Sequence, residues 1–320
     1  MSMIPIPAVR ASPPPTTVLA NLDPQHLGPL DALICSILAL DVTENAFAQI
    51  IDGLPTRDSF RRNTGSIPIL PAILERDHPT EDAVTMFRKF REEFTSTAQL
   101  MVASKAVQAY QNTLPLSNNF KLHLLEMAAL IIHTLAITYY TTTHPDVDIY
   151  STDPGSFQYP HYTVDLYRQL YVRVMRYPYG LADIVGYWAE TQVFGGVVLF
   201  EHAHDECDSE LLSAFIHPSE KAGSYVFQLS SSQLCLLRPL PFSIVQNADA
   251  PPTVHRNDLR ARRIFRDEYS RIDPLGNRPS CITPLTDELK AGFDWARRQQ
   301  EARARGEPYE TSYYPPNRRR

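Results

Sequence analysis

The residues best suited to chemistry stand close together at positions 201–208, in the run Glu-His-Ala-His-Asp-Glu-Cys-Asp. A His-x-His pair with a nearby carboxylate or thiolate is a plausible ligand set for a transition metal. If the apolar run before it continues as a strand, His202 and His204 project to the same face. The sequence therefore predicts a candidate metal set of His202, His204 and Cys207, with His217 close in sequence. The alternative is a polar hairpin turn with solvated side chains.

A second candidate site comes from a series of tyrosines and a tryptophan between positions 159 and 188. Phenol and indole rings can line an apolar pocket and supply hydrogen-bond donors to a ligand. We take Tyr162, Tyr187 and Trp188 as the predicted ligand pocket, with a small hydrophobic molecule as its occupant. Ordinary packing between helices explains the same series equally well.

Two further histidines, His123 and His133, fall in one long apolar segment. At 100° per residue their side chains are about 80° out of phase on a helix, so they cannot face one ligand. We predict that His133 is a core histidine bonded to a backbone carbonyl, because buried polar groups find hydrogen-bond partners.

Standard catalytic motifs are absent from the sequence. It contains no Gly-x-Ser-x-Gly elbow, no phosphate-binding loop, no dinucleotide fingerprint and no His-Glu-x-x-His pair. Asn257-Asp258-Leu259 begins like the magnesium motif of terpene cyclases, but Ala261 and Phe265 stand where further ligands are required. No cofactor is predicted, and the sequence leaves open whether the chain is an enzyme.

Helices are the elements that must position these residues. From Asn119 to Thr141 apolar residues at helical spacing cover more than one face, which predicts a helix through the middle of the fold. At Gly195 the period changes, and a short β-branched run bounded by glycines predicts a β-hairpin insert at about 195–229. The predicted fold class is therefore mainly α, a compact multi-helix domain with that small insert. Other predicted helices cover about 29–40, 43–53, 80–111 with a break near 95–97, 163–177, 181–192, 254–271 and 286–305.

The predicted organisation has three parts. Residues 1–23 contain a Pro-Pro-Pro run and no apolar stretch of signal-peptide length, and they are interpreted as a flexible Pro-rich leader. Residues 24–306 form a single helical domain with the β-insert. Residues 307–320 end in three arginines and are interpreted as a flexible basic tail.

Composition narrows the class of protein. The chain has 320 residues, of which 43% are hydrophobic, so it can bury a sizeable core. Its four cysteines are scattered and form no Cys-x-x-Cys pair, which favours reduced thiols in the cytoplasm, with a nuclear location left open. No window reaches the roughly 18 uninterrupted apolar residues of a membrane span, so no membrane association is predicted.

Charge is distributed unevenly along the chain. The net charge is −6, but residues 256–320 carry a net of +5 and the remainder −11. This split favours a basic region that packs against or screens an acidic body. The arginines of the basic region alternate with acidic residues and define no basic face, so nucleic-acid binding is not predicted.

Five short motifs stand between Gly186 and about Asp273. They are Gly186-Tyr-Trp-Ala-Glu, Phe194-Gly-Gly-Val-Val-Leu-Phe, Phe215-Ile-His-Pro, Val226-Phe-Gln-Leu-Ser and Ile264-Phe-Arg-Asp-Glu-Tyr. With these motifs the stretch resembles an uncharacterised fungal family, a domain of unknown function. The resemblance implies a helical protein with a small β-hairpin, from a filamentous fungus, and it brings no assigned catalytic residues.

Two functions are compatible with these observations. The missing catalytic motifs and the split charge favour a non-catalytic interaction or scaffold protein that binds an as yet unidentified protein. The fungal resemblance and the tyrosine-rich segment favour an accessory enzyme, or a protein that binds a hydrophobic intermediate, in fungal specialised metabolism. The first is our expectation from the sequence.

Overall fold

A long helix, α7 (Asn118–Thr143), lies at the centre of the described structure. The Ser117 side chain caps its first turn by accepting a hydrogen bond from the Phe120 amide at 3.0 Å. Serine suits this position because its hydroxyl satisfies an amide that has no partner inside the helix. Buried residues follow one another along α7, as its continuous apolar sequence predicts.

The computed structural model describes residues 12–64, 71–149, 164–168, 170–172, 174–203, 210–218, 225–230, 233–234, 254–255 and 259–270. Contacts divide the chain into Met1–Pro274 and Leu275–Arg320, and every described residue belongs to the first unit. The other helices are α1 (Pro24–Leu38), α2 (Asp41–Asp52), α3 (Arg57–Thr64), α4 (Pro71–Leu74), α5 (Glu81–Glu93), α6 (Ser104–Gln111) and α8 (Leu181–Phe194). The strands are β1 (Thr16–Val18), β2 (Met101–Ala103), β3 (Gly196–His202), β4 (Leu211–Pro218), β5 (Tyr225–Gln228), β6 (Val254–His255) and β7 (Ile264–Phe265).

Helix α8 and strand β3 form a deeply buried part of the described chain. Every residue of both elements is buried. Gly195 joins them with a φ of 77°, a left-handed conformation that glycine adopts without a Cβ clash. The helix therefore turns directly into a strand at the point where the sequence changes its period.

The larger sheet is antiparallel, with strand order β6-β5-β4-β3-β7. Strand β3 pairs with β4 along its whole length, and its other edge pairs with β7 through Phe200 opposite Phe265 and Glu201 opposite Ile264. The short strand β7 thus holds the residues that follow it close to the C-terminal end of β3.

The prediction of a mainly α fold with a small β-hairpin insert is wrong, and the fold class is mixed α/β. The insert does form strands, but β6 and β7 extend the sheet at both edges, and β1 pairs with β2 in a second sheet. Residues 254–271 had been expected to form a charged helix. Two-residue strands are too short to show a period of two, and they form because the edges of β3 and β5 offer unpaired backbone groups.

Other predicted elements have mixed outcomes. The central helix, the Thr80 cap of α5 and the Gly53 end of α2 are confirmed. The helix expected to open at Thr163 is wrong where residues are described: 164–168 and 170–172 contain no helix, and only a short 3-10 turn follows at Val174–Arg176. Strand β1 lies within residues 1–23, the stretch predicted as a leader, so regular structure begins inside it.

Helix α7 is long and apolar enough to cross a membrane by length and composition alone, and the bent pair α1–α2 passes the same test jointly. In this structure 78% of the most apolar window of α7 is buried inside the protein. Helix α7 contacts helices α1, α2, α6 and α8 and strands β2, β3 and β4, so it serves as the core helix of the described unit.

Helices α7 and α8 approach each other closely at Gly186. A Cβ built at this position would lie 2.6 Å from Cε1 and Nε2 of the His133 ring, a distance that real Cβ atoms do not tolerate. Glycine at 186 therefore leaves space on α8 for a ring that projects from α7.

We expect Gly186→Ala to lower the free energy of unfolding by about 1–3 kcal/mol, because the displaced His133 ring outweighs the better helix propensity of alanine. Urea unfolding would measure the change. Gly28→Ala in α1 is the matched control, since a Cβ there meets no atom within 4 Å, and it should cause no loss. Equal effects at both positions would contradict the packing argument.

Candidate functional site

Ionisable side chains from three elements meet in the core. The His133 ring of α7 lies between two carboxylates of α8, with Nδ1 2.7 Å from Glu190 Oε1 and Nε2 3.0 Å from Asp183 Oδ1. Asp183 and Glu190 are separated by about two helical turns, so both carboxylates point from α8 towards α7. We call His133, Asp183, Glu190 and Arg266 the core ion cluster.

Arg266 completes the cluster from the far side of Glu190. Its Nη1 donates to Glu190 Oε2 at 2.7 Å and its Nη2 donates to Oε1 at 2.8 Å, a forked pairing that fixes both groups. The Arg266 amide donates to Ser270 Oγ at 3.0 Å, which holds the turn that follows. The pairing of β7 with β3 thus delivers a cation to a carboxylate that is wholly buried.

Charges in the cluster are balanced. Both ring nitrogens of His133 face carboxylate oxygens, so both donate and the ring is an imidazolium. Its charge and that of Arg266 match the two carboxylates. The remaining oxygen of Asp183, Oδ2, accepts from the Tyr179 amide at 2.6 Å. The four charges of the cluster therefore balance one another, and the half-buried Asp267 carboxylate lies at its edge, 3.8 Å from Arg266 Nε.

Acid–base behaviour follows from this geometry. Burial lowers the pKa of His133, but the hydrogen bonds to Asp183 and Glu190 outweigh burial and raise that pKa to about 9. Burial raises the pKa of Glu190, but Arg266 and His133 together hold it below its usual value. Burial also opposes the charge of Arg266, and Glu190 raises its pKa nonetheless. All three groups are charged at neutral pH.

An imidazolium bonded through both nitrogens has no lone pair to accept a proton or to bind a metal. His133 therefore acts as a structural cation at neutral pH. The hydrogen bonds and ion pairs of the cluster connect α7, α8 and the residues after β7 within the core. A cluster of this kind specifies the arrangement of the elements that contribute to it.

Aromatic rings cover the cluster. The ring centroid of Tyr187 lies 4.6 Å from that of His133, 4.7 Å from that of Tyr171 and 5.3 Å from that of Tyr177. The guanidinium of Arg266 lies 5.8 Å from the Tyr187 centroid. Burial raises the pKa of Tyr187 well above its ordinary value, so the phenol is neutral. The rings keep water away from the charges and strengthen their interaction.

The structure locates two of the three residues predicted to line a ligand pocket. Tyr187 packs against the cluster, as described above, and Trp188 is fully buried on the same helix. Tyr162 lies outside the described residues. The prediction of a pocket formed by all three stays a prediction.

A second arginine, Arg168, is buried in this region but has no such partner. It is 2% exposed, and its Nη2 donates to the Pro218 carbonyl oxygen. Its guanidinium carbon lies 4.8 Å from the ring centroid of Tyr171, whose hydroxyl is 2.9 Å from His217 Nδ1. Nε and Nη1 of Arg168 are buried without a hydrogen-bond partner in the described part of the chain. Burial lowers the pKa of Arg168.

The predicted metal set is only partly visible. His202 Nε2 donates to the Phe265 carbonyl at 3.0 Å, and the His202 ring stacks on the Phe265 ring at 4.2 Å. His217 lies on β4 beside Tyr171, while His204 and Cys207 fall outside the described residues. Within the described ranges, no three histidine, cysteine or acidic side chains are grouped to hold a metal ion.

Most of the core ion cluster was not predicted from the sequence. It placed His133 in the core, but its predicted backbone-carbonyl partner is wrong, since two carboxylates fill that role. One signal was present: Asp183 and Glu190 are acidic residues, seven positions apart, in a helix that is otherwise largely apolar. Arg266 carried no signal, because it was assigned to a solvated charged helix.

No protein-family model, curated protein sequence or solved structure matches this chain. The resemblance to a fungal family therefore stays a prediction.

The stability of the protein should fall as the pH rises through the pKa of His133. Because this pKa, about 9 in the folded state, exceeds the value of about 6.5 in an unfolded chain, its contribution is complete below pH ~6.5 and is lost above pH ~9. We expect the free energy of unfolding to fall by about 3 kcal/mol over this interval, measured by urea unfolding.

His133→Gln should remove most of this pH dependence, because the titrating ring is gone. His78→Gln is the matched control, since His78 is exposed, and it should keep the wild-type profile. A His133 variant with an unchanged pH profile would show that other groups cause the loss of stability.

Proposed function

We propose that this chain is a non-catalytic interaction protein that engages a partner protein through an apolar loop. The loop is Asn112–Ser117, which connects α6 to α7 and contains Leu114-Pro115-Leu116. Leu114 is 76% exposed and Leu116 is 84% exposed, the two highest values among the large hydrophobic residues of the described part of the chain. We call this segment the leucine loop.

The backbone of the leucine loop is held at both ends. The Thr113 carbonyl accepts from His26 Nε2 at 3.1 Å, and the Thr113 hydroxyl donates to the Tyr110 carbonyl at 2.7 Å. The Ser117 amide donates to the Leu114 carbonyl at 3.1 Å, and the Ser117 side chain caps α7. The two leucines are therefore presented on a fixed backbone.

Leu116 is the single observation that carries the proposal. Its φ of 67° is the only positive φ of a non-glycine residue in the described ranges. A leucine in the left-handed region costs about 1–2 kcal/mol, and strained residues of this kind cluster at functional sites. A fixed, exposed apolar pair lowers the ordering entropy that a partner must offset on binding.

The core ion cluster supports the non-catalytic part of the proposal. Its charges are matched internally, and His133 is held as a cation that cannot serve as a base near neutral pH. The ionisable groups of the cluster are thus committed to holding helix α7, which begins at the leucine loop.

A second candidate function is favoured by a different observation. The Tyr171 ring packs against the guanidinium of Arg168, which has no ion pair with a described carboxylate, and Tyr187 packs against Tyr171. Neutral phenols next to an unmatched cation suit a binding site for a small molecule with an apolar body. Under this alternative the chain binds a hydrophobic intermediate, as an accessory protein or enzyme of fungal specialised metabolism.

The leucine loop can be tested by photocrosslinking. A benzophenone-bearing amino acid at Leu114, irradiated in an extract of cells that produce the protein, should give one discrete crosslinked species of a different protein. The same group at Met86, which is 48% exposed on α5, is the control and should give none. No product from Leu114, a matching product from Met86, or a product of two identical chains would contradict the proposal.

Leu116→Asn separates function from folding. Asparagine tolerates a positive φ, so the free energy of unfolding should rise by about 1 kcal/mol, as measured by urea unfolding. The crosslink from Leu114 should be lost in the same variant, because half of the apolar surface is gone. Leu114→Ser, at a residue without this strain, should bring no gain in stability. A variant that is more stable and still crosslinks would overturn the role of Leu116.

A further inference from the structure

We infer that Arg168 anchors a binding site for a small oxyanion, a carboxylate or a phosphate, between the 164–177 segment and strand β4. The inference goes beyond the interaction proposed for the leucine loop and does not depend on it. It rests on the contacts of one buried guanidinium and on its contrast with another.

The guanidinium of Arg168 is held in place by uncharged groups. The Glu190 carboxylate, already paired with Arg266, acts on it without direct contact. Nη2 of Arg168 donates to the Pro218 carbonyl at the end of β4, and the Tyr171 ring covers one face of the guanidinium. Neither the carbonyl nor the phenol carries a negative charge, because burial raises the pKa of Tyr171 and keeps its hydroxyl protonated. These contacts thus fix the position of the Arg168 guanidinium but give it no ion pair.

The two buried arginines of this region differ in one respect. Arg266 directs its nitrogens at Glu190 in a forked pair, while Arg168 has no ion pair with any described carboxylate. A charge taken out of water without a counter-ion is strongly unfavourable, and proteins retain one where a ligand supplies the opposite charge. Glu190 of the chain itself therefore supplies the counter-charge of Arg266, and a bound anion would supply that of Arg168.

The chemistry of the unused donors indicates what binds. Guanidinium N–H groups donate best to the planar or tetrahedral oxygens of carboxylates and phosphates. The Tyr171 hydroxyl, which lies 2.9 Å from His217 Nδ1, is a further polar group close to the Arg168 side chain. Free inorganic phosphate and an aromatic carboxylate share this chemistry, so the experiment has to distinguish them.

Thermal unfolding of the full chain tests the site. The melting temperature would be followed at constant ionic strength while sodium chloride is replaced by sodium phosphate or, in a second series, by sodium benzoate, after overnight equilibration because the donors are buried. We expect a saturable rise of about 5 °C with at least one of the two. A response to phosphate alone assigns a free phosphate, and a response to benzoate alone assigns an organic carboxylate.

Arg168→Met should abolish the rise, whichever anion causes it. Arg176→Met is the matched control, because Arg176 is an exposed arginine of the same segment, and it should retain the full rise. The inference is overturned if neither anion stabilises the wild-type chain, which would leave buried water as the partner of Nε and Nη1. It is equally overturned if Arg168→Met still responds as the wild type does.

Equilibrium dialysis keeps the test decisive if Arg168→Met does not fold. Radiolabelled phosphate or benzoate should bind the wild-type chain with one site per chain. Arg168→Lys keeps the charge but loses the planar fork, so its affinity should be at least about tenfold weaker. An unchanged affinity in Arg168→Lys would show that the anion binds elsewhere.

Discussion

The negative charge of Glu190 has no contact with solvent, and the arrangement of the core follows from the need to balance it. Arg266 and His133 share this task, one through a forked pair and the other through Nδ1. Removing one partner from a buried pair of this kind costs about 3–5 kcal/mol, because the remaining charge is left without compensation. The positions of three parts of the chain therefore depend on one another: helix α7, helix α8 and the residues after β7.

The need to balance the buried charge of Glu190 explains a glycine, a short strand and a group of tyrosines elsewhere in the core. Gly186 is needed because the His133 ring occupies the space beside α8. Strand β7 is only two residues long, yet its pairing with β3 sets the depth of Arg266. The tyrosines around Tyr187 exclude water, and low polarity strengthens the ion pairs that they cover. The same region buries Arg168, a cation that forms no ion pair with a described carboxylate.

The sequence predicted the parts of the fold that local pattern determines. Helix α7 was found almost to its ends because apolar spacing and the lack of breakers are local properties. Strands β6 and β7 were missed, since their formation depends on the edges of other strands. In the candidate site, the core position of His133 was predicted but its partners were not, because Asp183 and Glu190 lie 50 and 57 residues away along the chain. Leu116 was missed because a positive φ leaves no trace in composition.

The order of the cluster along the chain has a consequence for biosynthesis. Arg266 is 76 residues downstream of Glu190, so a ribosome has made helices α7 and α8 and most of the sheet before it adds this cation. Until then the emerging polypeptide has His133 but not the forked arginine partner of Glu190. Translation that stops before Phe265 would release a chain without both the edge strand and the counter-charge, a product that quality-control proteases recognise by its open core.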